Sequence, residues 1–262
     1  MTRTFGRRDN TFMKVITPDT DRRRKTRNAP THGPLSNGAS GRIPPLHNGD
    51  HLTVAEFERR YEAMPPGIKA ELINGVVYMA SPLTIENHGD QHGSLSFWLG
   101  YYRVHTPGVQ LGLNSTLKLL LGENQPQPDA LMRILPEFGG LSTTIDGYVV
   151  GGAELAAEVS ASTVAYDLHE KLLEYERNGV LEYLVWSVHD RVIDWFQLKT
   201  GKYHRLVPSA RSVIKSRVFP GLWLDVNAIL EDNMARVLEV VQQGIASPEH
   251  QRFVKKLQAK KK

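Results

Sequence analysis

Residues 154–188 carry the pattern that most narrows the folds open to this chain. "ELAAEVSA" (154–161) is a short run of apolar and small residues, as expected of a strand buried on both faces. From about Ala165 to Asn178 the period changes. Leu168, Leu172 and Tyr175 share one helix face, and Gly179 suits the cap that ends it. "LEYLVWSV" (181–188) is strand-like again. Strand, helix and strand in succession predict a crossover unit of an α/β sheet. One residue resists this apolar reading. Glu158 sits near the end of the first strand, and a buried carboxylate is costly unless it is paired or binds a metal.

The other elements fit around that unit. In "HLTVAEFERRYEAMPPG" (51–67), Thr53 and Glu56 have capping-box spacing, and Val54, Phe57 and Tyr61 line one helix face. Pro65 and Pro66 end that helix. "KAELINGVVYMAS" (69–81) reads as a hairpin about Asn74–Gly75, two residues that tolerate positive φ. "HGDQHGSLSFWLGYYRVH" (88–105) reads as a helix with Leu95, Trp98, Leu99 and Tyr102 inward. "STLKLLLG" (115–122) and "PQPDALMRIL" (126–135) read as strands, and 136–152 as a Gly-rich connection. "RVIDWFQLKTGKYHRLV" (191–207) reads as a hairpin about Thr200–Gly201. Ile229, Leu230, Met234, Val237, Leu238 and Val241 mark a later amphipathic helix, free to pack on its own core or on a second subunit. A short Lys-rich helix starts near Pro248.

Three further polar residues bear on chemistry. Asp129 opens an apolar strand, and Glu71 lies in the early hairpin. If the strands of Asp129 and Glu158 are neighbours, both acids converge at one sheet edge. Two hard oxygen ligands suit Mg²⁺, whose shell is usually completed by water and substrate phosphate. The plainer alternative has each acid accepting backbone hydrogen bonds at a strand end. Lys171 follows Asp167 by four residues and shares its helix face. It is either half of an exposed ion pair worth about 0.3–0.5 kcal/mol, or it turns toward the acids to stabilise charge on a phosphoryl group. His88 and His92 lack the H-E-x-x-H zinc arrangement. His88 could support the acidic site or be structural. No phosphate loop, dinucleotide fingerprint or serine-nucleophile elbow is present.

Composition excludes more than it selects. Cysteine is absent, which removes disulfides, thiolate metal sites and cysteine nucleophiles. No apolar run approaches the roughly 20 residues of a membrane span, and no secretory signal is visible, so the expectation is a cytoplasmic protein without membrane contact. The net charge of +4 is uneven: residues 1–50 hold ten Lys or Arg against four Asp or Glu. A basic, polar segment of this kind is either a solubilising leader or an arm that tracks phosphates in a salt-dependent way.

Taken in order, "AELINGVVYMAS", His88, "QPDA", "LAAEVSASTVAYD" and "HEKLLEYERNGVLEYLVW" resemble the Uma2 family, restriction-endonuclease-like proteins of the PD-(D/E)XK nuclease-like superfamily. "GKYHRLV" and "FPGLWLDV" resemble its late hairpin and closing segment. The resemblance spans roughly residues 52–230. It implies an α/β restriction-endonuclease-like core, with a mixed β-sheet flanked by helices, and homodimerisation. It implies that Asp129 is the "PD" aspartate, that Glu158 is the acid of the (D/E)XK element, and that Glu71 is a further ligand or a water-orienting base. "EVS" puts Ser160 where that element has lysine. Relatives carry a lysine in the following helix, and Lys171 matches it, with Asp167 just upstream; Ser160 could orient a ligand. The implied function is a Mg²⁺-dependent DNA endonuclease, with Mn²⁺ as a substitute metal.

The expected organisation is a basic arm over 1–48, a nuclease domain over 49–230 and a helical, Lys-rich extension over 231–262. Two other functions compete. One is a weak or inactive nucleic-acid-binding protein on the same scaffold. The other is a structural homo-oligomer in which the acids only stabilise.

Overall fold

The computed structural model describes residues 42–80, 83–161 and 163–261; the expected arm, up to residue 41, lies outside the described residues. The first helix, α1 (Val54–Glu62), starts where Thr53 Oγ1 accepts the Glu56 N–H. The capping box is only half made, because the Glu56 carboxylate turns to Arg59 and Arg60. Strands β1 (Ala70–Ile73) and β2 (Val76–Met79) form the expected hairpin, with Asn74 and Gly75 at φ 50° and 77°. Leu46, Phe57, Leu72 and Val77 close a small core between α1 and this hairpin.

One π-helical turn (Ile85–Gly89) leads into α2 (Asp90–Val104), which buries Leu95, Trp98, Leu99 and Tyr102 as its spacing predicts. Strand β3 (Val109–Leu113) follows. The segment expected as a strand over 115–122 is strand only at β4 (Leu117–Lys118). There the chain turns back on itself: Leu119 N–H reaches Asn124 O, Gly122 adopts φ 74°, and Leu120 and Leu121 are exposed. The next strand, β5 (Ala130–Ile134), starts later than 126. Pro126 and Pro128 have no N–H to give a ladder. The Gly-rich connection holds a 3₁₀ turn (Pro136–Phe138) and the hairpin β6 (Thr143–Ile145) and β7 (Tyr148–Val150).

Strand β8 (Leu155–Ser160) leads through α3 (Val164–Tyr166), a π-helical turn (Asp167–Lys171) and α4 (Leu172–Arg177) to β9 (Glu182–Ser187). Every residue of both strands is buried. They pair in parallel, Glu158 opposite Val185, as the crossover pattern requires. Strands β10 (Val192–Lys199) and β11 (Lys202–Arg205) turn at Thr200–Gly201, whose φ values are 52° and 79°. The chain closes with β12 (Val213–Lys215), β13 (Trp223–Asp225), α5 (Val226–Leu230), α6 (Met234–Ile245) and α7 (Pro248–Lys260).

The central sheet has six strands in the order β11-β10-β9-β8-β5-β3, all antiparallel neighbours except β8 and β9. Successive strand residues point to opposite faces. Ala157 and Val159 join Trp98, Tyr102, Val237, Val241 and Leu257 on one side. Ala156 and Leu131 join Tyr175, Tyr183 and Leu117 on the other. The late amphipathic stretch is thus two helices, and α6 packs on the protein's own core. Among the described residues no helix is long and apolar enough to cross a membrane.

Glu182 shows how this core handles an acid away from the polar site. It is fully buried, accepts Ser216 Oγ–H at 2.7 Å and the N–H groups of Arg217 and Val218, and so fastens the 216–218 loop to the start of β9. Burial pushes its carboxyl up to about 7, against the pull of those donors. The folded chain then keeps a proton that the unfolded chain, near the ordinary value of 4.5, has released. Stability is therefore expected to fall as pH rises between those two values. Glu182→Gln should flatten that slope, which is on the order of 3 kcal/mol across the window. Urea unfolding at pH 5 and 7.5 measures it; an unchanged slope in the variant would assign the pH dependence elsewhere.

Candidate active site

Period-two alternation carries Glu158 to the same sheet face as Ala156, under the crossover helix, and Asp129 to the face of Leu131. Ala130 pairs with Ala157, so the two acids lie at adjoining ends of neighbouring strands. They are cross-laced through the backbone. Asp129 Oδ2 accepts the Val159 N–H at 2.8 Å, and Glu158 Oε2 accepts the Asp129 N–H at 3.4 Å. The plainer reading of each acid as a strand-end acceptor is thus correct for one oxygen of each.

Lys171 answers the question its helix spacing leaves open. Its side chain is 3% exposed, and Nζ lies 2.8 Å from Glu158 Oε1, 2.9 Å from Glu71 Oε1 and 3.6 Å from Asp167 Oδ1. It comes from the π-helical turn of the crossover, and His88 comes from the other such turn. A π turn inserts one residue per turn and re-aims the side chains after it, and such turns recur at functional sites. Burial opposes the lysine's charge, but Glu158, Glu71 and Asp167 outweigh it and raise Lys171 well above its ordinary value. The ammonium is the state these contacts hold. Burial also pushes Glu158 well above the carboxylate range; Lys171 opposes this, and Asp129, Asp167 and Glu71 reinforce it. Asp167 is raised by the same burial.

The remaining expected residues fall nearby. Glu71 Oε1 also accepts the Gln127 N–H at 2.5 Å, so that oxygen is occupied twice. His88 donates Nδ1–H to the Val159 carbonyl at 3.0 Å, which leaves Nε2 3.6 Å from Asp129 Oδ1. Ser160 is fully buried and bonds Thr163 Oγ1 at 2.9 Å; Thr163 in turn donates to Asp167 Oδ2 at 2.7 Å. Ser160 therefore orients Asp167 through Thr163.

Several residues were missed in the sequence. Lys69 Nζ is 3.4 Å from Asp129 Oδ1 and 3.3 Å from Asn114 Oδ1. It stands two before Glu71, and strand alternation would have put both on one face. His92 donates Nε2–H to the Asp129 carbonyl at 3.0 Å, and Tyr175 reaches Glu158 Oε1 at 3.4 Å. His92, four after His88, and Tyr175, on the apolar face of the crossover helix, were visible as residues, but their partners were not, since each is brought in by the tertiary fold.

Lys69, Glu71, His88, Asp129, Glu158, Asp167 and Lys171 line a cavity of about 630 Å³. Four carboxylates, from Glu71, Asp129, Glu158 and Asp167, share it with the ammoniums of Lys69 and Lys171. The hard oxygens of Asp129 and Glu158 are of the kind a divalent cation takes. Among the described residues no three His, Asp or Glu side chains form a ready cage.

The fold is thus a mixed sheet flanked by helices, with two acids at adjoining strand ends faced by a lysine from the crossover. The sequence profile of the Uma2 family, described as "Putative restriction endonuclease", matches residues 54–227, and the chain belongs to that family. Among solved structures it is similar to one titled as a putative nuclease belonging to DUF820 from Anabaena variabilis ATCC 29413. The identity is 14% and the TM-score 0.48, over 68% of this chain and 99% of that one. No curated protein matches the sequence. The family attaches nuclease chemistry, and hence a nucleic-acid substrate, to this chain.

Proposed function

We propose that the protein is a metal-dependent endodeoxyribonuclease that hydrolyses phosphodiester bonds in the cavity between β1, β5, β8 and the crossover helix. The observation that carries this reading is the placement of Lys171 Nζ on Glu158 and Glu71, inside the cavity that Asp129 also lines. Asp129 and Glu158 would hold Mg²⁺, or Mn²⁺ in its place. A bound divalent ion lowers the pKa of water and offsets phosphate charge. Lys171 would neutralise charge gathering on the phosphoryl oxygens as the new P–O bond forms and the old one breaks. Glu71, with one oxygen already engaged by Lys171 and the Gln127 N–H, serves chiefly to position that lysine. Its second oxygen stays available to a metal-bound water. Asp167, steadied by Thr163 and Ser160, completes the lysine's seat. Lys69 holds Asp129 Oδ1 toward the cavity, and His88, fixed by its Nδ1–H on the Val159 carbonyl, places Nε2 beside that oxygen.

Supercoiled, linear and single-stranded DNA incubated with Mg²⁺, Mn²⁺ or EDTA provides the test. Cutting is expected with either metal and not with EDTA. Binding without cutting under both metals would replace this reading with that of a nucleic-acid-binding scaffold. Homodimerisation belongs to the same proposal. Because α6 is packed on the protein's own core, a dimer would use another surface. Sedimentation showing only monomers at assay concentration would remove that part.

A further inference from the structure

The cavity is larger than a hydrated cation and one phosphate require, and the wall beside Lys171 is aromatic. Tyr78 stands directly across the hairpin from Glu71. Its ring packs on Tyr166, with centroids 4.1 Å apart and planes at 34°. Tyr166 in turn lies 5.3 Å from Lys171 Nζ. Both rings line the cavity and are only partly buried, together with Met79 and Ala165. Among the described residues the buried Tyr166 hydroxyl has no hydrogen-bond partner.

We propose that the Tyr78–Tyr166 wall seats one unpaired nucleobase of the substrate strand, stacked on the aromatic rings beside the phosphate to be cut. This rests on the nuclease reading: a phosphodiester at Asp129 and Glu158 brings an attached nucleoside into the same cavity. A base within continuous duplex is stacked on both sides and cannot enter such a cavity; it must be flipped or already single-stranded. Aromatic walls accept any base, because each presents a π-face. The substrate class is therefore DNA with an unpaired nucleotide at the cut: single strands, overhangs, flaps or mismatches.

The test is binding in EDTA, where no metal-dependent cutting interferes. Short oligonucleotides carrying 2-aminopurine are titrated with the whole chain, and anisotropy and base fluorescence are read together. Wild type is expected to bind single strands more tightly than blunt duplex of equal length and to quench the probe. Tyr78→Ala should weaken single-strand binding by about 5- to 150-fold, the range of aromatic–base stacking, and abolish the quench. Tyr78→Trp should keep both, and it carries the test if the alanine variant melts early. Equal affinity for single strand and duplex, with no quench and no response to Tyr78→Ala, would overturn the proposal. Metal-dependent cutting in that case would leave the nuclease reading intact. Single-strand binding with quenching but no cutting would instead support the base seat and remove the nuclease reading. Failure to bind any DNA in EDTA would overturn the base seat and leave the nuclease reading to the cleavage test.

Discussion

Lys171→Met is expected to abolish most metal-dependent cleavage and to weaken the fold at the same time. The lysine side chain is 3% exposed and touches Glu158, Glu71 and Asp167, all of them buried. Methionine fills the same space without charge and leaves three carboxylates unopposed in a low-dielectric setting. Breaking a buried ion pair by removing one partner costs about 3–5 kcal/mol. Denaturant unfolding should show a loss of that order. Adding Glu158→Gln to the variant should restore part of it, because the amide does not need the lost cation. Cleavage should fall by about 10²–10³-fold, the effect of removing one preorganised electrostatic stabiliser. The double variant should regain stability and not activity. Full cleavage in folded Lys171→Met would exclude the lysine from the chemistry and leave it a structural counter-ion.

Asp129→Asn is expected to separate these effects. The acid accepts the Val159 N–H through Oδ2, and an asparagine carbonyl can keep that bond. Its other oxygen faces Lys69 and His88 in the cavity. The amide removes one negative charge and one hard ligand while preserving shape. Cleavage should fall by about 10²–10³-fold, with the urea midpoint close to that of wild type. Calorimetry should show weaker Mg²⁺ or Mn²⁺ binding. Unchanged metal affinity and unchanged cutting would move the site away from Asp129, however well the acids are aligned.

Much of the fold could be read along the chain because it depends on local rules. Asn74–Gly75 and Thr200–Gly201 turn hairpins since these residues accept positive φ, wherever they sit in the molecule. The run from Leu155 to Ser187 could be read as a crossover because strand and helix have different periods and parallel strands need a long connection. The apolar run at 115–122 failed for the opposite reason. Its spacing allows a strand, but Asn124 binds Asn74 and Glu174, which lie far off in sequence, and draws the chain into a turn after Lys118.

The site divides in the same way. Glu158 and Asp129 were visible because each is a charge in an apolar strand, and an acid there needs a reason to be buried. Lys171 was visible as a candidate, but helix spacing from Asp167 is the same for an exposed pair and for a buried one. The sequence by itself determined the elements, the hairpin turns and the acids that had to be explained. Only the tertiary structure decided that β5 and β8 are neighbours, that a π turn aims Lys171 inward, and that Lys69 and the Tyr78–Tyr166 pair join it. The physical reason is range: turn and period preferences act over a few residues, whereas the charge a buried group meets is set by elements that packing brings together.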